Sequence, residues 1–406
     1  MISAMDFTIS PEVEAIRTRV ADFVRTHCVP LEADRDNFDE HENIAPAVLA
    51  NLRGKARTEG LWAPQMPPEL GGMGLSMTAQ AVVYEEAAYS IFGPLALNCA
   101  APDDGNMRLL MMVGTDDQKE RWLKPIIEGR VNSSFVMTEP HPGAGSDPAG
   151  MMLTKAEKKG DKWVINGRKW FITGAGAAEH FIIIARTSDD PRNGLSCFMF
   201  HRDQPGWRIV RRVPIMGPEE HGGHCELEFD GLEIPEQDVL MNIGDGMRAT
   251  QIRLGPARLT HCMRWLGMSR RAMDIAADYV RERQSFGEAL ADHEGVQWIL
   301  GEAAMDIHIG RLATMFAAWK LDQGDRARKE VSMAKVQVAD TLNRVIDSCI
   351  QLCGARGYSQ DTLLEWMYRY ARQAKLVDGA SEVHKMVLSR LYMKEGQDFW
   401  SWQASD

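Results

Sequence analysis

Apolar residues along this chain follow two different periods, and the change from one to the other divides it into three zones. From about residue 8 to 130 the spacing is helical. Ser10 and Pro11 make an N-cap followed by a proline in the first turn, and Ile16, Val20, Phe23 and Val24 then return at three- and four-residue steps. A Gly/Pro loop over 66–74 interrupts this zone, and the helical pattern resumes near Thr78. From about 131 to 245 short apolar runs take over: Trp163-Val164-Ile165, Phe181-Ile182-Ile183-Ile184-Ala185, Cys197-Phe198-Met199-Phe200 and Trp207-Arg208-Ile209-Val210. Asn166-Gly167 follows the first of them and predicts a hairpin turn. Such closely spaced short strands predict a small sandwich or barrel. From about 246 onward long helical stripes return, one carrying Val296, Ile299, Leu300, Ala303 and Ile307, another Val331, Ala334, Val338, Val345 and Cys349. The expected fold is a multidomain α+β protein. It has an N-terminal helical domain (1–130), a central β-sandwich or barrel (131–245) and a C-terminal four-helix bundle (246–406).

The chain's 406 residues exceed what one compact core normally holds, which agrees with closely packed subdomains. A net charge of −11 argues against a nucleic-acid backbone as partner, since non-specific binding there needs a basic surface. The seven cysteines (28, 99, 197, 225, 262, 349 and 353) form no CxxC pair and no metal-finger spacing. They read as reduced core thiols of a cytoplasmic protein with no metal site. No basic n-region with an apolar stretch opens the chain, no run approaches the roughly twenty apolar residues of a membrane span, and the last residues are not a peroxisomal address.

Three stretches carry candidate chemistry. Phe135-Val136-Met137-Thr138-Glu139-Pro140 runs as a strand into Gly143-Ala144-Gly145-Ser146-Asp147, where backbone N–H groups and small hydroxyls can approach a ligand closely. Arg283-Gln284-Ser285-Phe286-Gly287 ends a long helix and places a planar cation there. Val377-Asp378-Gly379-Ala380-Ser381-Glu382 holds a carboxylate in a turn. Each in isolation also reads as ordinary structure: a β-turn, a surface arginine, a plain Asp-Gly bend.

Taken together they resemble the acyl-CoA dehydrogenase family. Thr138-Glu139-Pro140 and the Gly-Ala-Gly-Ser-Asp loop match its signature, with His141 and Pro142 as an apparent insertion, and Phe171-Ile172-Thr173 matches its later aromatic-Ile-Thr strand. The resemblance covers essentially the whole chain. It implies that Phe135, Met137, Thr138, Gly145, Ser146, Phe171, Ile172 and Thr173 lie along a flavin, with Phe171 where many members carry Trp. It also implies that Arg283, Ser285, Phe286 and His293, together with Gln351, Gly354 and Ala355, reach the FAD of a neighbouring subunit. Ala355 stands where the family usually shows a second glycine. A homotetramer, and at least a homodimer, is therefore expected. Asp378 occupies the place of the family's catalytic Glu, with Gly379 and Ser146 toward the substrate and Ala380 and Glu382 toward the cofactor. Arg258 would either line the substrate channel or pair within its helix. Ala257 stands where some members keep an alternative base, so that base is absent here.

The pattern Asp378-Gly379-x-x-Glu382-Val383-His384 is most similar to the branch of family members ten and eleven. The implied reaction is FAD-dependent α,β-dehydrogenation of an acyl-CoA thioester in lipid metabolism, with electrons passed to an electron-transfer flavoprotein. Apolar walls around Asp378 are expected to raise its pKa. Rival readings are an acyl-CoA oxidase, a nitroalkane-oxidase-like flavoenzyme and a non-enzymatic scaffold.

Overall fold

The structure, a computed structural model, describes residues 8–148 and 152–401. Helix α1 (Pro11–Phe23) begins as its sequence specifies, with the Val13 N–H donating to Ser10 Oγ and Pro11 in the first turn. Helices α2 (Pro46–Thr58), α3 (Met77–Ala87) and α4 (Asp103–Val113) complete the larger N-terminal elements. The 66–74 loop turns through Gly71 and Gly74, both at positive φ, just before α3.

Eight strands follow: β1 (Asn132–Val136), β2 (Lys155–Lys159), β3 (Lys162–Thr173), β4 (Ala178–Arg186), β5 (Leu195–His201), β6 (Trp207–Arg212), β7 (His224–Pro235) and β8 (Val239–Leu240). They form one sheet in the order β6-β7-β3-β2-β4-β5-β8, with β1 pairing parallel to β4. Rings from strands that are not neighbours nevertheless touch. Phe181 on β4 lies 4.9 Å from Trp207 on β6, and Phe200 on β5 lies 5.8 Å from Phe229 on β7. The sheet therefore curls over its own apolar side, as the sandwich or barrel reading required.

The expected Asn166-Gly167 hairpin is not there. Both residues lie inside β3, and the hairpin sits earlier, between Lys159 and Lys162. Gly167 answers a different need: a Cβ on it would stand 2.6 Å from Thr154, so glycine permits close backbone approach rather than a turn. Asn166 uses its side-chain oxygen to accept from the Gly231 N–H at 2.8 Å.

The C-terminal region contains α5 (Gly246–Glu282), α6 (Glu294–Asp322), α7 (Arg328–Cys353), the shorter α8 (Leu364–Ala371) and α9 (Ser381–Glu395). Helices α5, α6 and α7 pack on one another, and α9 packs on α7, which makes the expected bundle. The stripes forecast on α6 and α7 face inward: Ala303 and Ile307 are buried, as are Val331, Ala334, Val338, Val345 and Cys349. Helix α5 is the spine of the molecule. It meets α3 and α4 on one side and β4 and β5 near its start. Asp104 on α4 pins it, accepting from Thr260 Oγ1 at 2.7 Å and from Tyr84 Oη at 3.1 Å. All seven cysteines are buried and free. Among the described residues no His/Cys/Asp/Glu group could hold a metal, and no helix is long and apolar enough to cross a membrane.

Candidate active site

Asp378 sits in the turn between α8 and α9, with φ +50°, followed by Gly379 at φ +95°. An L-residue in this left-handed region is strained, so the surrounding structure must hold it. Its carboxylate is mostly buried against α5. Oδ1 is 3.5 Å from Arg253 Nη1, and Oδ2 is 3.3 Å from His261 Nε2 without the alignment of a hydrogen bond. Oδ2 is thus a buried oxygen whose nearest donor is the His261 ring.

Electrostatics around this carboxylate differ from the expected apolar enclosure. Burial alone would raise its pKa, but the His261 N–H and the Arg253 and Arg258 guanidiniums outweigh burial and hold it well below the usual carboxylate range. The expected rise is therefore wrong. The pocket floor is α5, and α5 presents cations at 253, 258 and 264. Burial pushes His261 below its own ordinary value, so the ring is neutral at pH 7. Arg264 Nη2 approaches His261 Nδ1 at 3.4 Å, which leaves the ring proton on Nε2, toward Asp378. Arg253 also reaches across to the β-domain. Its guanidinium lies 5.0 Å from the Phe135 ring, and its Nε donates to Asn106 Oδ1 at 3.3 Å. Phe135 and Asp378 therefore stand on two sides of one arginine. Beyond His261 lies a cavity of about 60 Å³ bordered by Phe92, Trp265, Trp366 and Tyr370.

The glycine-rich loop is organised by a residue whose role the sequence did not announce. Glu139 is 1 % exposed, and its carboxylate accepts from the Leu153, Thr154 and Ala144 N–H groups at 2.7, 2.8 and 3.2 Å. Fully buried Lys169 stands 3.1 Å from Glu139 Oε1 and donates to the Met137 carbonyl at 2.7 Å. The Trp170 N–H donates to the Thr138 carbonyl and the Glu139 N–H to the Gly145 carbonyl. A Cβ at Gly143 would collide with the Glu139 carboxylate. Phe171 sits in the bulge of β3, with φ +49° and its ring 41 % exposed, and Thr173 Oγ1 lies 3.0 Å from His224 Nδ1. Ile172 is buried beneath them, while Ser146 is exposed on the loop.

The acyl-CoA dehydrogenase N-terminal, middle and C-terminal domain models match residues 10–130, 134–232 and 244–393. The chain belongs to the acyl-CoA dehydrogenase family. Members of this family are FAD-dependent oxidoreductases. The chain is 36 % identical over 397 residues to the probable acyl-CoA dehydrogenase FadE2 of Mycobacterium tuberculosis, covering 95 % of this chain and 96 % of that one. It is also 36 % identical to acyl-CoA dehydrogenase family member 11 of Gallus gallus. That match covers 95 % of this chain and 51 % of the relative, so the chain spans about half of that protein's length. The solved structure of a putative acyl-CoA dehydrogenase from Mycobacterium abscessus superposes with a TM-score of 0.89 at 34 % identity, covering 96 % of this chain and all of that one.

Within this acyl-CoA dehydrogenase chain, the remaining candidate residues gather elsewhere. Arg283 caps α5, and Gln284–Ser285 pairs with Glu288–Ala289 around a turn at Phe286 and Gly287, both at positive φ. Gly287 therefore serves this hairpin and not the helix end. His293 Nε2 lies 3.1 Å from the Ser285 carbonyl, and Phe286 is 97 % exposed. Gln351, Gly354 and Ala355 lie exposed at the end of α7, the same end of the bundle, where Arg356 meets the Tyr279 ring of α5. Arg258 and Arg283 are roughly 37 Å apart along α5. One chain thus carries two separate groups of candidate residues. Arg258 turns toward the loop of the carboxylate, where its Nε donates to the Asp378 carbonyl at 2.8 Å. Ala380 and Glu382 flank the start of α9, Glu382 exposed. Arg253, His261, Glu139 and Lys169 were not singled out as site residues from sequence. Glu139 lies within the Thr138-Glu139-Pro140 motif, and His261 opens the stretch His261-Cys262-Met263-Arg264, which also resembles the branch of family members ten and eleven; nothing in the spacing marks Arg253 or Lys169.

Proposed function

We propose that this chain is an FAD-dependent acyl-CoA dehydrogenase in which Asp378 removes the α-proton of a coenzyme A thioester, yielding a trans-2-enoyl thioester. The observation that carries this reading is the Asp378 carboxylate: mostly buried, ionised, faced by His261 at Oδ2, and separated from Phe135 of the β-domain by one arginine. The chain's residues fit the cofactor. An exposed Phe171 ring beside Thr173, a Ser381 Oγ buried without a partner, and the glycine-rich loop after Thr138 all offer surface to a flavin. Phe135, Met137, Thr138, Gly145, Ser146, Phe171, Ile172, Thr173, Ala380 and Glu382 would hold the flavin end. Arg283, Ser285, Phe286, His293, Gln351, Gly354 and Ala355 of a second copy would hold the remainder. Bound FAD supplies the acceptor for the hydride leaving the substrate's β-carbon.

The chain's own part is to bind, orient and deprotonate. Ionised Asp378 is ready as a base without first losing a proton, although its low pKa makes it a weak one in the resting site. Excluding water around a bound thioester would raise the cost of the carboxylate's charge and so strengthen it as a base. The Gly379 and Ala380 amide N–H groups have no acceptor among the described residues, and they suit a thioester oxygen that gains negative charge. Ser146 and Gly379 border the thioester end. An electron-transfer flavoprotein is the proposed electron acceptor. A homotetramer is supported by the exposed apolar stripe Trp298, Met305, Ile309 and Leu312 on α6. Free buried thiols favour a reducing cytoplasm.

Flavin absorbance tests the reading directly. Anaerobic mixing with short, medium and long acyl-CoA thioesters should bleach the yellow protein, and nitroethane should leave it unchanged. Bleaching by nitroethane alone, or a colourless protein that takes up no FAD, would sink it. The charge environment adds a second expectation. In Arg253→Met the burial cost stands less opposed, so the acid limb of kcat/KM should move upward from its position well below the ordinary Asp range. An unmoved limb would show that Arg253 does not tune the base.

A further inference from the structure

Three donors from three helices converge on the backbone just after the carboxylate. Arg258 Nε on α5 donates to the Asp378 carbonyl at 2.8 Å, and His384 Nε2 on α9 lies 3.3 Å from the same oxygen. Lys335 on α7 is fully buried, and its Nζ donates to the carbonyls of Gly379 and Ala374, both at 2.8 Å. His384 Nδ1 in turn lies 3.1 Å from Ser332 Oγ, one turn before Lys335. A buried ammonium whose hydrogen bonds go to loop carbonyls is costly to keep, and packing alone does not require it. Gly379 fits the same arrangement: a Cβ there would stand 3.1 Å from His384 Nε2, and its φ of +95° excludes most side chains.

A trans peptide points its N–H opposite its C=O. Pinning the Asp378 and Gly379 carbonyls toward Arg258, Lys335 and His384 therefore turns the Gly379 and Ala380 amides to the other side. It also fixes a strained φ at Asp378 that the chain would not adopt unaided. We propose that Lys335 and His384 are positioning residues for the base, holding the Asp378–Gly379 turn so that its carboxylate and amides face the thioester together. This rests on the reading of Asp378 as the base.

The groups facing Lys335 decide its pH behaviour. Burial pushes the ammonium down to about 8, while Cys262 and Arg258 from α5, Asp378 from the turn and Glu382 from α9 act on it in opposing directions. Cys262 stays a thiol, pushed up to about 12 by burial; Arg258 stays charged; and His384, pushed down to about 4 by burial, is neutral throughout the working range. Lys335 is thus the member of this group that changes charge near pH 8. The charge-assisted hold is present below that pH and weakens above it, where the neutral amine keeps only two N–H donors.

Acetyl-CoA provides a probe that separates proton removal from redox chemistry, because its acyl group has no β-carbon to give up hydride. The holoenzyme should exchange the acetyl α-hydrogens for deuterium in D₂O, Asp378 taking a proton and returning a deuteron, with the rate followed by NMR. Lys335→Met should slow this exchange between about 10- and 100-fold, the penalty for a displaced base. It should also abolish the fall in rate above pH 8 while the protein melts within a few degrees of wild type. Lys335→Arg, which keeps the donors and stays charged, should recover much of the rate and also lack that fall. His384→Phe should slow exchange and keep the alkaline fall. Wild-type exchange in Lys335→Met would overturn the positioning role and leave Asp378 as base. A wild type inert to acetyl-CoA and to every acyl thioester would overturn the proposed function, and this inference with it.

Discussion

Asp378→Asn should bind FAD and fold as wild type does, yet fail to bleach with any acyl thioester that reduces the parent, losing roughly 10²- to 10⁴-fold in the rate of flavin reduction. The amide has almost the shape of the carboxylate. The contacts that shape the turn run to backbone carbonyls from Arg258, Lys335 and His384, so they survive the change. Cofactor binding should survive for the same reason. What disappears is the carboxylate proposed to take the proton. His261 cannot replace it, since its Nε2 carries a hydrogen toward position 378 and its Nδ1 is occupied by Arg264. Position 257 is alanine and offers nothing.

Asp378→Glu sharpens the same experiment. It keeps the charge but carries it one methylene further into a site already walled by Arg253 and His261. Partial bleaching is expected, slower than wild type and well above Asn. Rapid-mixing absorbance with a saturating thioester reads all three proteins. Undiminished reduction in the Asn variant would remove Asp378 as base, whatever the Glu variant did.

Local chemistry was legible where it is decided locally. Ser10-Pro11 specifies a helix start through a partner only three residues away, the Val13 N–H, and the start stands where it reads. The inward stripes of α6 and α7 depend on one period and hold for the same reason. Asn166-Gly167 misled because the identical dipeptide serves a turn or a close approach, and Thr154 across the sheet makes it the second. Asp378 stands in a legible motif, yet its pKa runs opposite to the direction that apolar walls imply. Its neighbours at 253, 258 and 261 lie more than a hundred residues away, and a helical cation carries no mark of which side it faces. Lys169 pairs with Glu139 thirty residues earlier, and only the folded β3 brings them together.

That last pair yields the largest expected loss of stability. Glu139→Gln should lower stability by about 3–5 kcal/mol, because a fully buried Lys169 loses its counter-charge and must either stay charged alone or give up its proton. An amide oxygen cannot serve the three N–H groups and the ammonium that the two carboxylate oxygens now share. Melting should fall by on the order of 10 °C. The loss should not be confined to stability, since Glu139 ties the strand end after Thr138 to the loop at Ala144 and to Leu153 and Thr154. The purified variant should therefore carry less FAD per chain even at temperatures where it stays folded. Burial already pushes Lys169 down to about 8, and Glu139 is what opposes further loss of its charge. Adding Lys169→Met to Glu139→Gln removes the orphaned cation and should restore part of the melting temperature, while FAD content stays low because the loop amides still lack their acceptor. A double variant no more stable than Glu139→Gln alone would mean that the buried charge was not the source of the loss, and full FAD content in the single variant would disconnect the pair from the loop.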